Sequence, residues 1–208
     1  MQDLESLGMK KGLLYETIIT TQNKNKAPNA APIGVICKNK NEIVLNLFEG
    51  THTLENIKAN SKFVVNILKD PLVFVGCTTG DLSFDYFKKY GDDFYIKNTN
   101  AFFTANVTSV KEIEKEDNIS KSNMSIIKAS VDEIIIKKEG VEPLNRAIFA
   151  IIESLVYLTR IKIVDENTSK KYLERIQEMS MIVNRVGSLD HKKAMRDILK
   201  YIENSDSL

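Results

Sequence analysis

The chain has 208 residues, 43% hydrophobic and 27% charged, and 29 Lys and Arg against 28 Asp and Glu leave a formal net charge of +1. That length suits one substantial domain with a smaller appendage, and the near-neutral balance argues against a nucleic-acid or acidic-partner binder. No apolar run reaches the roughly 18 residues of a membrane span and no signal-like succession opens the chain, so no membrane partner and a cytoplasmic location are expected. The two cysteines, Cys37 and Cys77, lie far apart and match no metal spacing; they read as buried free thiols of a reducing compartment.

In chain order, Met1 to Lys11 is polar and reads as a loose arm. LLYETIITT (Leu13 to Thr21) is rich in β-branched residues and predicts a strand, bounded by the turn-like QNKNKAPN. Across that turn Asn29, Ala31, Ile33, Val35 and Cys37 fall on one face of a second strand and Ala30, Pro32, Gly34 and Ile36 on the other, which predicts a hairpin. Pro32 cannot donate to a ladder, so this strand should be an edge or bulged there. A tight turn at Lys38 to Asn41 leads into EIVLNLF (Glu42 to Phe48), a third strand. Thr51 or Thr53 can cap a short helix around Leu54 to Ala59, and FVVNIL (Phe63 to Leu68) returns as a strand.

Hairpins followed by a helical crossover fit a small barrel better than a doubly wound sheet. PLVFVGCTTGDL admits either a helical turn or a strand, and DLSFDYFKKYGDDFY reads as a long surface excursion. Alternation resumes in Ala101 to Ile113 and again in Met124 to Lys138, two strands joined by a charged link that would close the barrel. At Gly140 the period changes to about 3.6. Pro143 suits a first helical turn, and Leu144, Ala147, Ile148, Ile151, Ile152, Leu155 and Leu158 form an apolar stripe expected to be buried. A second helix carries Tyr172, Ile176, Met179 and Val183 up to Gly187; a third follows the capping candidates Ser188 and Asp190 with Ala194, Ile198 and Ile202. The expected architecture is therefore α+β, a mainly antiparallel barrel over residues 1–140 and a helical subdomain over 141–208.

Chemistry concentrates in two stretches one strand apart, PNAAPIG (Pro28 to Gly34) and GTHTLENI (Gly50 to Ile57). The first, lined with small side chains, offers a slot for a flat ring. The second is a polar turn opening a helix, where backbone N–H groups, hydroxyls and the Asn56 amide can hold a phosphate. Each half has a plain structural reading as well: Thr53 as a cap, His52 as a surface residue, Ala and Gly as close packing. Together they point to flavin mononucleotide, and no GxGxxG strand-to-helix turn offers a site for a pyrophosphate. Neither His52 nor His191 belongs to a recognisable triad or metal motif, so no metal is expected and no catalytic residue can be named. Glu112, Glu114, Glu116 and Asp117 read as a solvated run; Glu16 interrupts the first strand and faces either the flavin or, the favoured reading, the solvent side of a half-exposed strand.

PNAAPIG followed by THTLENIKANSKFVVNIL resembles the FMN-binding split barrel of the flavin-reductase-like proteins. With LLYETIITT at its start and a helical segment at its end, the chain is similar to an uncharacterised flavin-reductase-like family best known from archaea. The resemblance implies a split barrel in which Asn29, Ala31, Pro32 and Ile33 border the flavin ring and Thr51, His52, Thr53 and Asn56 hold the phosphate. Relatives often carry a basic and an acidic residue where this chain has Thr51 and His52, so Lys58, Lys62 or a second subunit would supply the charge. The resemblance further implies a homodimer and a flavin-dependent oxidoreductase that takes electrons from NAD(P)H or another small redox partner. The alternative is a non-catalytic flavin-binding protein whose helical tail recruits a partner.

Overall fold

The computed structural model describes residues 2–117 and 120–205. It divides into two compact units, Met1–Leu144 and Asn145–Leu208.

The first unit is a closed six-stranded antiparallel barrel. β1 (Leu14–Gln22) and β2 (Pro28–Asn39) pair along their length, from Leu14 opposite Ile36 to Gln22 opposite Pro28. Asn23 makes their turn: its Oδ1 accepts from the N–H groups of Asn25 at 2.9 Å and Ala27 at 3.0 Å, the local bonding that suits Asn to turns. β3 (Glu42–Phe48) pairs with β2 only from Val35 to Asn39 and then runs against β8 (Ser120–Ile136). α1 (His52–Asn60) carries the chain across to β4 (Lys62–Ile67), which lies between β1 and β7 (Ala101–Asp117). β7 and β8 pair with each other and close the ring in the order β1-β2-β3-β8-β7-β4. Ile19, Val35, Leu45, Phe63, Phe103 and Ile127 fill the interior.

Several expectations are corrected here. The N-terminal arm is not loose. Leu4–Leu7 forms a 3-10 turn capped by Asp3, and Leu4, Leu7 and Met9 are fully buried in the barrel core. Backbone bonds fasten it, with Leu4 N–H to Lys40 O at 2.9 Å and Gly12 N–H to Cys37 O at 2.7 Å. The ambiguous PLVFVGCTT is a helix, α2 (Pro71–Thr79), started by Asp70 accepting from Leu72 N–H with Pro71 in the first turn. The supposed surface excursion contains a two-stranded sheet, β5 (Phe87–Tyr90) and β6 (Asp93–Ile96), whose Phe87, Phe94 and Ile96 cluster with Ile18, Leu68 and Val73. The charged link between the last strands is itself paired β7–β8 ribbon through Asp117 and Ser120.

The second unit holds α3 (Arg146–Leu158), α4 (Glu166–Val186) and α5 (Leu189–Ser205). α3 does not begin at Pro143. Leu144, the last residue of the first unit, bridges to Glu16 of that same unit, its carbonyl accepting from Glu16 N–H at 2.8 Å, and Asn145 opens the second unit by capping α3, accepting from Ala147 N–H at 2.9 Å. Asp165 caps α4 through Thr168 N–H at 3.0 Å, and Ser188 meets His191 Nδ1 at 2.7 Å as α5 starts. A Cβ at Gly187 would lie 2.6 Å from Val183 O, so only glycine fits between α4 and α5. The stripe expected to bury α3 is only partly buried. Ala147, Ala150, Ile151 and Ser154 form the packed face, whereas Ile148, Ile152 and Leu155 are exposed. Small residues let a neighbouring helix approach closely, so the packing selected them over the larger side chains of the stripe.

Candidate functional site

β2 and the start of α1 meet, and a side-chain bond joins them. Asn29 Nδ2 donates to Thr53 Oγ1 at 3.2 Å. Asn29 is half-buried on the face of β2 that also carries Ala31 and Ile33, opposite Thr21, Ile19 and Thr17 of β1. Ile33 packs against the barrel core, and Thr17 Oγ1 donates to its carbonyl at 2.9 Å. Pro32 stands on the other face, opposite Ile18. Because β3 leaves β2 at Val35, Pro28–Gly34 has no strand on that side among the described residues. This is the edge position that Pro32 requires. At Gly34 a Cβ would come within 3.1 Å of the Leu14 side chain, so a larger residue there requires Leu14 to give way.

The turn from β3 into α1 passes Gly50 at φ 76°, a left-handed conformation in open surroundings that favours glycine for its backbone alone. Thr51 occupies the N-cap position but caps nothing: its hydroxyl donates to Phe48 O at 3.0 Å. Among the described residues no side chain therefore competes for the first-turn N–H groups of α1, the positive end of a helix and a natural seat for an anion. Thr53 is buried below this end. Its oxygen accepts from Asn29, and no acceptor among the described residues takes its own hydrogen. His52 is exposed beside the same end, with Nδ1 3.7 Å from Glu55 Oε2. Asn56, one turn along and buried, sends its amide to Thr21 Oγ1 at 3.0 Å, fixing α1 to β1.

The two lysines considered as charge donors are both engaged. Lys58 bonds Glu112 at 2.8 Å and Glu49 at 3.2 Å, bonds that hold its ammonium above the usual lysine range. Glu49 also accepts from Ser125 Oγ at 2.6 Å, and that bond, with Lys58, holds its carboxyl below the ordinary value. Lys62 pairs with Asp93 at 2.6 Å. It lies at the other end of α1, in a cavity of about 180 Å³ lined also by Thr21, Gln22, Lys26, Asn60 and Asp92. Asn60 was missed in the sequence. Its amide donates to Gln22 O at 2.8 Å and to Asn56 O at 3.0 Å, and the Asn56–Asn60 spacing of one helical turn was the available signal. Glu16 is half-buried, its backbone tied to Leu144.

Both cysteines are free, Cys37 buried and Cys77 half-buried on α2; burial pushes the Cys77 thiol up to about 11. Among the described residues no group of three or more His, Cys, Asp or Glu could hold a metal ion, and no helix is long and apolar enough to cross a membrane.

Two family models match, "Protein of unknown function (DUF447) N-terminal domain" over residues 15–133 and "Protein of unknown function (DUF447)" over residues 145–200. The chain belongs to the DUF447 family. The uncharacterised protein MJ1453 of Methanocaldococcus jannaschii is 28% identical over 192 residues, covering 90% of this chain and 97% of its own. Among solved structures, the FMN-bound DUF447 protein MM1853 of Methanosarcina mazei is 27% identical, with a TM-score of 0.56 over 95% of this chain and 99% of that one. Component B of a nitrilotriacetate monooxygenase from Bacillus cereus is 14% identical, covers 66% of this chain and 83% of that one, and has a TM-score of 0.49. In this DUF447 chain the N-terminal family segment is the closed six-stranded antiparallel barrel.

Proposed function

We propose that this DUF447 protein binds FMN between the open edge of β2 and the start of α1, and works as a flavin-dependent oxidoreductase. One observation carries the reading: the Asn29–Thr53 bond holds a slim, half-buried strand edge against a helix N-terminus that no side chain caps. A flavin needs a flat slot beside an anion seat, and these residues fit both parts. Asn29, Ala31, Pro32 and Ile33 would border the ring; Thr51, His52, Thr53 and the first-turn N–H groups would hold the phosphate. The FMN carried by the Methanosarcina relative supports the same ligand. When bound, the flavin supplies the redox chemistry; the protein's part is to seat the phosphate, orient the ring and leave one side open to a small reductant such as NAD(P)H.

Lys58 and Lys62 are paired with carboxylates, so the phosphate charge is met by helix N–H groups and hydroxyls. A second subunit lying along the unpartnered edge of β2 would complete the wall, which makes a homodimer part of this reading. Two free thiols suit a reducing compartment, the cytoplasm.

Flavin fluorescence quenching tests the site. FMN should bind more tightly than riboflavin. Thr53→Ala should weaken FMN roughly tenfold or more, since a hydrogen bond to a charged group contributes about 1.5–3 kcal/mol, while riboflavin should bind both proteins about equally. Equal losses for both ligands would make Thr53 a strut for Asn29 alone, and no flavin binding by the wild type would end the proposal. Bleaching of the yellow protein by NADH or NADPH then separates an oxidoreductase from a flavin carrier. The exposed apolar side of α3 favours the second reading, a carrier whose tail binds another protein.

A further inference from the structure

Near its start, α1 is tied to the β1–β2 hairpin by two side-chain amides. Asn29 Nδ2, on β2, donates to Thr53 Oγ1 at 3.2 Å, and Asn56 Nδ2, on α1, donates to Thr21 Oγ1, on β1, at 3.0 Å. Thr21 and Asn29 stand opposite each other on one rung of the hairpin. Thr53 and Asn56 are three residues apart, hence neighbours on one face of the helix, about 4.5 Å apart along its axis. The four side chains close a frame: a rung of the hairpin, a turn of the helix and a bond at each end. Thr21, Thr53 and Asn56 are buried and Asn29 half-buried, so water competes poorly for either bond.

Apolar packing alone does not fix this register. Leu54 and Ile57 root α1 in the barrel core, but hydrophobic burial is non-directional and sets the depth of the helix more firmly than its place along the wall. Hydrogen bonds weaken steeply when bent or stretched, and two of them at this spacing hold both the axial position and the roll of the first turns. Asn60 ties the far end, donating to Gln22 O at 2.8 Å.

What the frame holds apart are the two halves of the proposed flavin site. Asn29 stands on the strand that would border the ring, and Thr53 lies below the helix end that would seat the phosphate. FMN engages both at once through a ribityl chain of limited reach, so its phosphate adds affinity only while seat and slot keep the matching separation. Riboflavin uses the slot alone. We infer that Thr21 and Asn56 are positioning residues that set the preference for FMN over riboflavin: bonded to each other, they hold the α1 seat at the working distance from the β2 edge, and neither touches the phosphate. The inference rests on the FMN reading given above.

The test titrates the full chain with FMN and with riboflavin by flavin fluorescence quenching and reads the ratio of the two affinities. Thr21→Val keeps the shape of the side chain and removes the acceptor. It should lower the ratio roughly threefold to tenfold, the weight of one neutral hydrogen bond, with riboflavin affinity within about twofold of wild type. Asn56→Ala should do the same, and the double variant should be no worse than the weaker-binding single, because both changes break one bond. Thr21→Ser, which keeps the oxygen, should retain the wild-type ratio. A loss in Asn56→Ala that Thr21→Val does not share would make Asn56 a phosphate ligand and overturn the inference. Losses that add in the double variant, an equal loss for both flavins, or a ratio unmoved in both singles would overturn it too, and all of these leave the FMN reading standing. A wild type that binds no flavin, or binds FMN no better than riboflavin, overturns both. Should Thr21→Val fail to fold, Thr21→Ala takes its place and is read by the same ratio.

Discussion

Asn66 shows how single polar side chains organise the barrel wall from which the candidate site hangs. It is fully buried on β4; its amide donates to Ile18 O at 3.0 Å and Thr20 Oγ1 at 3.1 Å, and its Oδ1 accepts from Ile96 N–H at 2.7 Å. One residue thus joins β1, β4 and the small sheet. Removing it strands a buried N–H and a carbonyl, each costing about 1–3 kcal/mol. Asn66→Ala should therefore lower the unfolding free energy by roughly 2–6 kcal/mol in urea titration, and Asn66→Asp, which would bury a carboxylate with one oxygen against the Ile18 carbonyl, should cost at least as much. Cys77 gives a pH signature. Burial raises its pKa, so the folded state favours the neutral thiol; this stabilisation is complete below the thiol's ordinary value near 9 and is lost as pH climbs to about 11. Because only the thiolate reacts, its alkylation at pH 8 should be markedly slower in the folded than in the urea-unfolded protein, and should speed up steadily toward pH 11. A pH-independent rate would contradict the burial.

Among the elements, the N-terminal turn was the least legible and has a testable weight. Leu4 and Leu7 stand three apart among Asp3, Glu5 and Ser6, too short a stretch for a period to emerge, yet both are fully buried. Leu7→Ala should lower stability by about 2–5 kcal/mol, as for other filled core sites, seen as a fall in the denaturant midpoint at constant slope; a change within error would return the arm to the surface. β1, β2 and β3 were readable because turn residues punctuate clean alternation. The β5–β6 sheet was not, because Phe87 and Phe94 are separated by lysines, a glycine and aspartates that look like loop. From Val110 to Glu114 β7 has no buried residue to mark a period, and Glu114 stands opposite an exposed Asn123 of β8. In the site, the two stretches could be named from their residue types. That Asn29 reaches Thr53, and that Asn56 turns to Thr21, depends on the crossing of α1 over β1 and β2, which no spacing encodes. α3 misled for a related reason: its pattern announces an apolar helix but not which side its neighbours choose.

At the scale of the molecule, the two units should respond differently to damage. Ile151 is buried at the back of α3, so Ile151→Asp should destabilise the protein by several kcal/mol, whereas the outward Ile148→Asp should leave the melting temperature nearly unchanged. Matched melting temperatures for the two would mean that α3 is turned the other way. The barrel carries a different kind of exposure, in time. β3 waits for a partner far along the chain: Leu45 pairs with Ile127, and the ring cannot close until β8 exists. At about 5–20 residues per second a ribosome takes roughly 4–16 s to cover that interval. For those seconds the apolar edge of Ile43, Leu45 and Leu47 leaves the tunnel without its neighbour, open to any other strand. Nascent chains stalled near residue 117 should therefore be held by chaperones or sediment with aggregates, and chains stalled well past residue 144 should not.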